Sequence, residues 1–261
     1  MEKNLKKNEL VKKSKQLRLE FIKLLYGGFK FHVGGTLSCI DIAITLFYSN
    51  FINLNNKKRN TFILSKGHAL ACLFLILIDK KLYTLKQLQK DYDNFRAGGQ
   101  LDIYNSKFVD WNTGSLGHSI GVSIGLAITN PNKKIYVIVG DAEFEEGSIW
   151  EAVFYISERK INNIIIIIDR NRMSASSVIN KKEIFDKNIL NKLNFNILKI
   201  DGHNFDKILS SLNKCSKSKQ SSILIANTIK GKGFKIFENN MKYSHGLPSQ
   251  EILKKLINEK K

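Results

Sequence analysis

The sequence predicts an α/β fold: a doubly wound, mostly parallel sheet with helices on both faces. Five short β-branched runs are apolar throughout, as strands buried on both faces must be. Stretches of helical period lie between them, and strands alternating with helices give a parallel sheet wrapped on both sides. Breaks are scarce. Only two prolines, Pro131 and Pro248, and no Gly/Ser-rich or Pro-rich linker interrupt the 261 residues. One domain over residues 1–261, opening with a helical segment, is the expectation, and 43% apolar residues can fill its core.

In chain order, residues 10–25 carry a helical period and residues 38–51 a second one. Residues 61–65 (TFILS) form the first strand, followed by helices at 70–80, 85–93 and 118–129. The second strand is 135–139 (IYVIV), with a helix at 148–159 leading to the third at 164–169 (IIIIID). Residues 196–200 and 222–227 supply two more strands, and residues 205–214 the helix between them.

The net charge of +19 invites a nucleic-acid reading, but only six of the 42 basic residues are Arg. Base-edge and bidentate phosphate recognition lean on Arg, and the Lys residues are spread along the chain instead of clustered among aromatics. Nucleic-acid binding is therefore not expected. Cys39, Cys72 and Cys215 are odd in number and far apart, which offers neither a disulfide framework nor a CxxC site. The N-terminus has no apolar run that could serve as a signal, and the longest uncharged apolar run, residues 69–78, is too short to span a bilayer. These features predict a cytoplasmic, soluble protein.

Open parallel sheets bind ligands outside the carboxyl ends of their strands. The second strand ends in Gly140-Asp141-Ala142, with acidic residues to Glu146 and then Gly147 opening a helix. The third ends in Asp169-Arg170-Asn171-Arg172-Met173. If the two strands are neighbours, Asp141 and Asn171 emerge side by side. A carboxylate, an amide oxygen and a backbone carbonyl are hard ligands, too few to enclose a divalent ion but suited to Mg²⁺ that completes its octahedron with phosphate and water. Taken singly, either residue could be an N-cap or a turn residue; the thirty-residue pair is a stronger signal.

Asp141, Gly147 and Asn171 match the thiamine-diphosphate signature, and the chain resembles transketolases, specifically the separate N-terminal half of split transketolases. Seven segments carry the resemblance in register: His32-Val-Gly-Gly-Thr-Leu-Ser; Arg59 to Ala69 with its SKGHA; Thr113 to Gly121 (TGSLGHSIG); GDAEFEEGSIWEA from Gly140; Ile168 to Ser176; Asp201-Gly-His203-Asn; and Asn227-Thr-Ile-Lys230-Gly-Lys-Gly. The resemblance implies a PP domain that binds thiamine diphosphate and Mg²⁺ and catalyses two-carbon ketol transfer between sugar phosphates. Asp141, Asn171 and the Met173 carbonyl would ligate the metal; His68, Gly114 and Ala142 would lie near the diphosphate, and Leu116 against the aminopyrimidine. His32 and His245 correspond to histidines that exchange protons with substrate hydroxyls, a role open to imidazole near neutrality. Glu146 corresponds to a carboxylate that meets the partner domain, an interface and relay position. His203 reads as structural and remote from the cofactor, and Lys230 and Lys232 as a solvated turn.

The carbanion chemistry belongs to the cofactor. Its activating Glu lies, in this family, in a Pyr domain that these 261 residues do not carry. The implied partner is a C-terminal transketolase subunit with that domain, in a dimer or an α2β2 assembly. Three positions depart from the family pattern: Ala142 replaces Gly, Phe31 replaces the Gly before the first histidine, and residues 101–105 lack the GHPE-type histidine that reads the donor's C1 hydroxyl. The α subunit of a 2-oxo acid dehydrogenase shares the metal elements, but SKGHA, TGSLG and NTIKGKG favour the transketolase branch.

Overall fold

The computed structural model describes residues 5–56, 58–93, 108–174, 177–179 and 192–259. In chain order the elements are α1 (Lys7–Tyr26), α2 (Val33–Tyr48), β1 (Thr61–Leu64), α3 (Ala71–Asp79), α4 (Leu85–Asp93), α5 (His118–Thr129), β2 (Ile135–Gly140) and α6 (Gly147–Glu158). They continue as β3 (Ile164–Arg170), β4 (Asn196–Asp201), α7 (Phe205–Lys217), β5 (Ser222–Asn227), α8 (Lys242–His245) and α9 (Gln250–Asn258). The five strands form one sheet in the order β1-β2-β3-β5-β4, and every pairing is parallel. The α/β class read from the apolar runs is the fold observed.

Period-two alternation divides the sheet residues between two cores. Tyr136, Ile138, Ile165, Ile167, Leu224 and Ala226 face α1, α2, α3 and α7. Ile135, Val137, Val139, Ile164, Ile166 and Ile168 face α5 and α6. Both faces are buried, which is why β3 can be five consecutive isoleucines, each at most 1% exposed.

Two helices lie outside the set expected from periodicity. The α9 helix opens on Ser249, whose side chain accepts from the Ile252 N–H, just after Pro248. The α8 helix is a single turn. The second helix starts at Val33 and not at Ser38, taking in Gly34 and Gly35. A Cβ on Gly35 would stand 2.6 Å from the His68 ring, so this glycine lets α2 close on the histidine.

Below the sheet's carboxyl edge, α1 and α2 are joined by a buried bidentate pair. Arg18 Nη1 and Nη2 donate to Asp41 Oδ1 and Oδ2 at 2.6 and 2.9 Å, and Ser14 Oγ adds a bond to Oδ1. Burial opposes the charge on Asp41, but Arg18 and His203 outweigh it and hold the carboxyl well below the usual range. Among the described residues, no helix is long and apolar enough to cross a membrane.

Candidate functional site

Strand register brings the two motifs together. Gly140 stands opposite Asp169 in the β2–β3 ladder, and Asp169 opposite Ala226 in β3–β5, so Asp141, Asn171 and the turn after β5 leave the sheet at one edge. A cavity of about 160 Å³ opens there, lined by Lys66, His68, Leu116, Asp141, Ala142, Asn171, Met173, Lys230 and Ser244 among others. Six of the residues singled out from the sequence therefore share one cavity: His68, Leu116, Asp141, Ala142, Asn171 and Met173.

Asp169, fully buried, organises this edge. It pairs with the Lys66 ammonium, and Ser38 Oγ and Thr228 Oγ1 donate to it. Asn171 Nδ2 also donates to it, at 3.2 Å. That bond commits the amide nitrogen and leaves Oδ1, which accepts from the Met173 N–H at 3.1 Å, as the oxygen free to act as a hard ligand. Burial disfavours both charges of the Lys66–Asp169 pair, yet each partner's field wins, raising the lysine and lowering the aspartate.

Asp141 has a different environment. Its oxygens accept from the Ala142 N–H at 3.0 Å and the Arg172 N–H at 2.5 Å, and among the described residues no cation pairs with it. Burial first, then the charge of Asp169, push it up to about 6. Arg172 meets it from the left-handed region, at φ 61°, a backbone cost of about 1–3 kcal/mol that aims its N–H at the carboxylate. Ala142 sits in the ordinary right-handed helical region, so replacing the family's glycine adds no backbone strain.

The rest of the predicted set surrounds this pair. His68 lies against Gly35, with its ring centroid 5.7 Å from that of His32. Burial, then the charges of Lys66, His32 and Lys230, push its imidazole down to about 3, so it is neutral at pH 7. Gly114 and the 48%-exposed Leu116 lie on the segment entering α5. That segment is pinned by Glu143, which accepts from Ser65 Oγ and from the N–H groups of Gly117 (3.1 Å) and Gly140 (3.2 Å). Gly117 is at φ 83° with a Cβ position 2.4 Å from Ser148 Oγ, so only glycine fits. Glu146 is exposed at the N-cap of α6 and does not line the cavity. His245 ends α8, next to the cavity-lining Ser244; its side chain lies outside the described residues, as does the 101–105 loop. Phe31 packs away into a stack with Phe29 at 5.6 Å.

Lys230 departs from the solvated turn expected of it. It is 7% exposed, lines the cavity, and donates to the carbonyls of Met173 (3.2 Å) and Ser174 (2.9 Å). Burial, then the charge of Lys66, push it down to about 8. Lys232, paired with Glu238, does belong to a partly exposed turn. Lys66, Lys230 and Glu143 are hard to find from sequence because a charged residue in a polar motif looks solvated until its neighbours are known. The carboxyl-end rule is the one signal that could have found Lys66 and Lys230.

The chain is similar to known proteins over most of its length. A 6-deoxy-6-sulfo-D-fructose transketolase subunit, SqwG, of Clostridium sp. (strain MSTE9) is 30% identical over 263 residues, 94% of this chain and 92% of that protein. An apulose-4-phosphate transketolase subunit of Phocaeicola vulgatus is 28% identical over 94% of this chain and 92% of its own length. The crystal structure of transketolase from Campylobacter jejuni matches with a TM-score of 0.84 at 27% identity, covering 98% of this chain and 43% of that one. The model of the family described as transketolase, thiamine diphosphate binding domain, matches residues 6–258, and the chain belongs to that family.

Proposed function

We propose that this chain is the PP-type subunit of a split transketolase, holding thiamine diphosphate through Mg²⁺ while a second chain supplies the Pyr domain. The observation that carries this reading is Asp141: a buried carboxylate, raised to about 6 and without a described cation, beside an Asn171 amide whose nitrogen is already committed to Asp169. Such a donor set suits a hard divalent ion that shares its shell with phosphate oxygens. Asp141, Asn171 and the Met173 carbonyl would hold Mg²⁺, with His68, Gly114, Ala142 and Leu116 around the cofactor.

Lys230 adds a charge to that set. It bonds to the carbonyl assigned to the metal, so metal entry requires its ammonium to turn away, and diphosphate oxygens are the natural acceptors. His68, neutral, can donate one hydrogen bond to the same oxygens. Bound thiamine diphosphate supplies the carbanion chemistry of ketol transfer. His32 and His245 would exchange protons with ketose hydroxyls, and Glu146, exposed, would face the second chain. A separate partner is supported by relatives of matching length whose names describe them as transketolase subunits. Their names also indicate anionic ketoses, which suits sugar-phosphate substrates here.

Calorimetric titration tests the site. Thiamine diphosphate should bind with Mg²⁺ present and lose affinity by about tenfold or more in EDTA or in Asn171→Leu. Equal affinity with and without the metal would contradict the assignment.

A further inference from the structure

The turn after β5 that carries Lys230 is gripped from outside the cavity. The Ile229 N–H donates to His203 Nε2 at 2.9 Å, and the Lys232 carbonyl accepts from Arg18 Nε at 3.0 Å. These two bonds fall on either side of Lys230, at Ile229 immediately before it and at Lys232 two residues later. Because Nε2 accepts, the ring proton of His203 sits on Nδ1, which faces Asp41 Oδ2 at 2.8 Å. The same carboxylate receives the Arg18 fork. Asp41 thus ties the two grips into one unit, buried at Arg18 and Asp41 and half-buried at His203, built from α1, α2 and the segment after β4 and not from the strand that carries the turn.

His203 does not line the cavity around Asp141 but borders a neighbouring pocket that also touches Asn171, Arg172 and Met173; its hydrogen-bonded link toward Lys230 runs through the turn. That turn contains Gly231 and Gly233, both with positive φ, and is also held by the Gly231 N–H donating to the Gly34 carbonyl at 3.1 Å and by the Lys230 carbonyl accepting from the Asn239 N–H at 2.9 Å. The bonds at Ile229 and Lys232 add to these and fix the two ends of the segment from which Lys230 points.

We infer that His203 and Arg18, joined through Asp41, clamp the Lys230 turn against the cofactor cavity, which makes His203 a positioning residue for the site. The inference rests on the cofactor reading above for its purpose, but on the hydrogen bonds alone for its geometry. Partners that orient metal ligands commonly matter by about 10–100-fold in metal affinity, and a grip one step further from the ion is expected at the low end of that range.

Two near-isosteric variants separate positioning from general stability. In His203→Gln the amide oxygen lies near the Nε2 position and keeps an acceptor for the Ile229 N–H. In His203→Asn the amide nitrogen lies near Nδ1, keeping the donor to Asp41 and losing the acceptor. Amide hydrogen exchange on the full chain is read at Ile229 to Gly231 and, as an internal reference, at Ile165 to Ile168 of β3. Thiamine diphosphate affinity with Mg²⁺ is measured on the same samples.

The clamp predicts that His203→Asn speeds exchange at Ile229 by about tenfold or more and weakens cofactor binding by about tenfold, with β3 unchanged. His203→Gln should stay within about threefold of the parent chain in both readouts. Unchanged exchange at Ile229 in His203→Asn would overturn the inference, as would equal acceleration of the turn and of β3 in both variants. If the parent chain bound no cofactor, the site reading would fail by itself, and the exchange data would still decide the clamp.

Discussion

Asp141→Asn should abolish cofactor-induced stabilisation while changing the pH dependence of the unliganded chain. At a hundredfold excess over its dissociation constant, a ligand that binds only the folded state adds about 2.7 kcal/mol. For a chain of this size that is a rise in Tm of about 5–10 °C with thiamine diphosphate and Mg²⁺. The Asn variant should gain less than about 1 °C, because the buried carboxylate that neutralises the ion is gone.

The unliganded comparison has a definite sign. The folded-state pKa of Asp141 is raised to about 6, so its stabilising contribution is full below the unfolded value near 3.9 and is lost as pH rises through 6. Asn does not titrate. Between pH 4 and pH 7 the balance should therefore shift toward the variant by on the order of 1–3 kcal/mol, read from urea denaturation at the two pH values. A cofactor shift of equal size in both proteins, or a pH-independent difference between them, would contradict the role given to Asp141. The carboxylate that costs the unliganded fold stability is the one that metal binding would satisfy.

Lys66→Ala should cost the largest amount of stability of any single change at the site. Lys66 is 2% exposed and pairs with the fully buried Asp169. Removing one partner of such a pair leaves an uncompensated buried charge, at about 3–5 kcal/mol. Denaturant titration at pH 7 should show that loss, with Tm falling by roughly 10 °C. Lysine raised and aspartate lowered place the pair's contribution between about pH 4 and pH 10, so the cost should persist across that window. The double variant Lys66→Met/Asp169→Asn should recover part of it, since no charge is then stranded. A single-variant loss below about 1 kcal/mol, typical of an exposed pair, would contradict the burial of this one.

The sheet is legible in the sequence because burial on both faces leaves a plain mark: the isoleucines of β3 admit few alternatives, and α4 and α5 begin and end where their periodicity does. The second helix reads short because Gly34 and Gly35 look like a break; they are helical because His68 needs the space. The terminal α9 helix is hidden by its lysines, with Leu253 its single buried residue. At the site, Asp141 and Asn171 stand out from their place after strands. Lys66 and Lys230 do not, because what buries them is Asp169 in the one case and a pair of backbone carbonyls in the other, and neither partner is near in sequence. His203 reads as structural and remote; it is outside the cavity, but one hydrogen bond from the turn that enters it.

The central claim, that this chain contributes the diphosphate and metal half of a ketol-transferring site, is tested most directly by one activity measurement. The purified chain is assayed for ketol transfer from a ketose phosphate with thiamine diphosphate and Mg²⁺, alone and then mixed with a separately prepared Pyr-domain subunit. The account predicts no turnover from the chain alone and turnover on mixing; appreciable turnover without the second chain would contradict it.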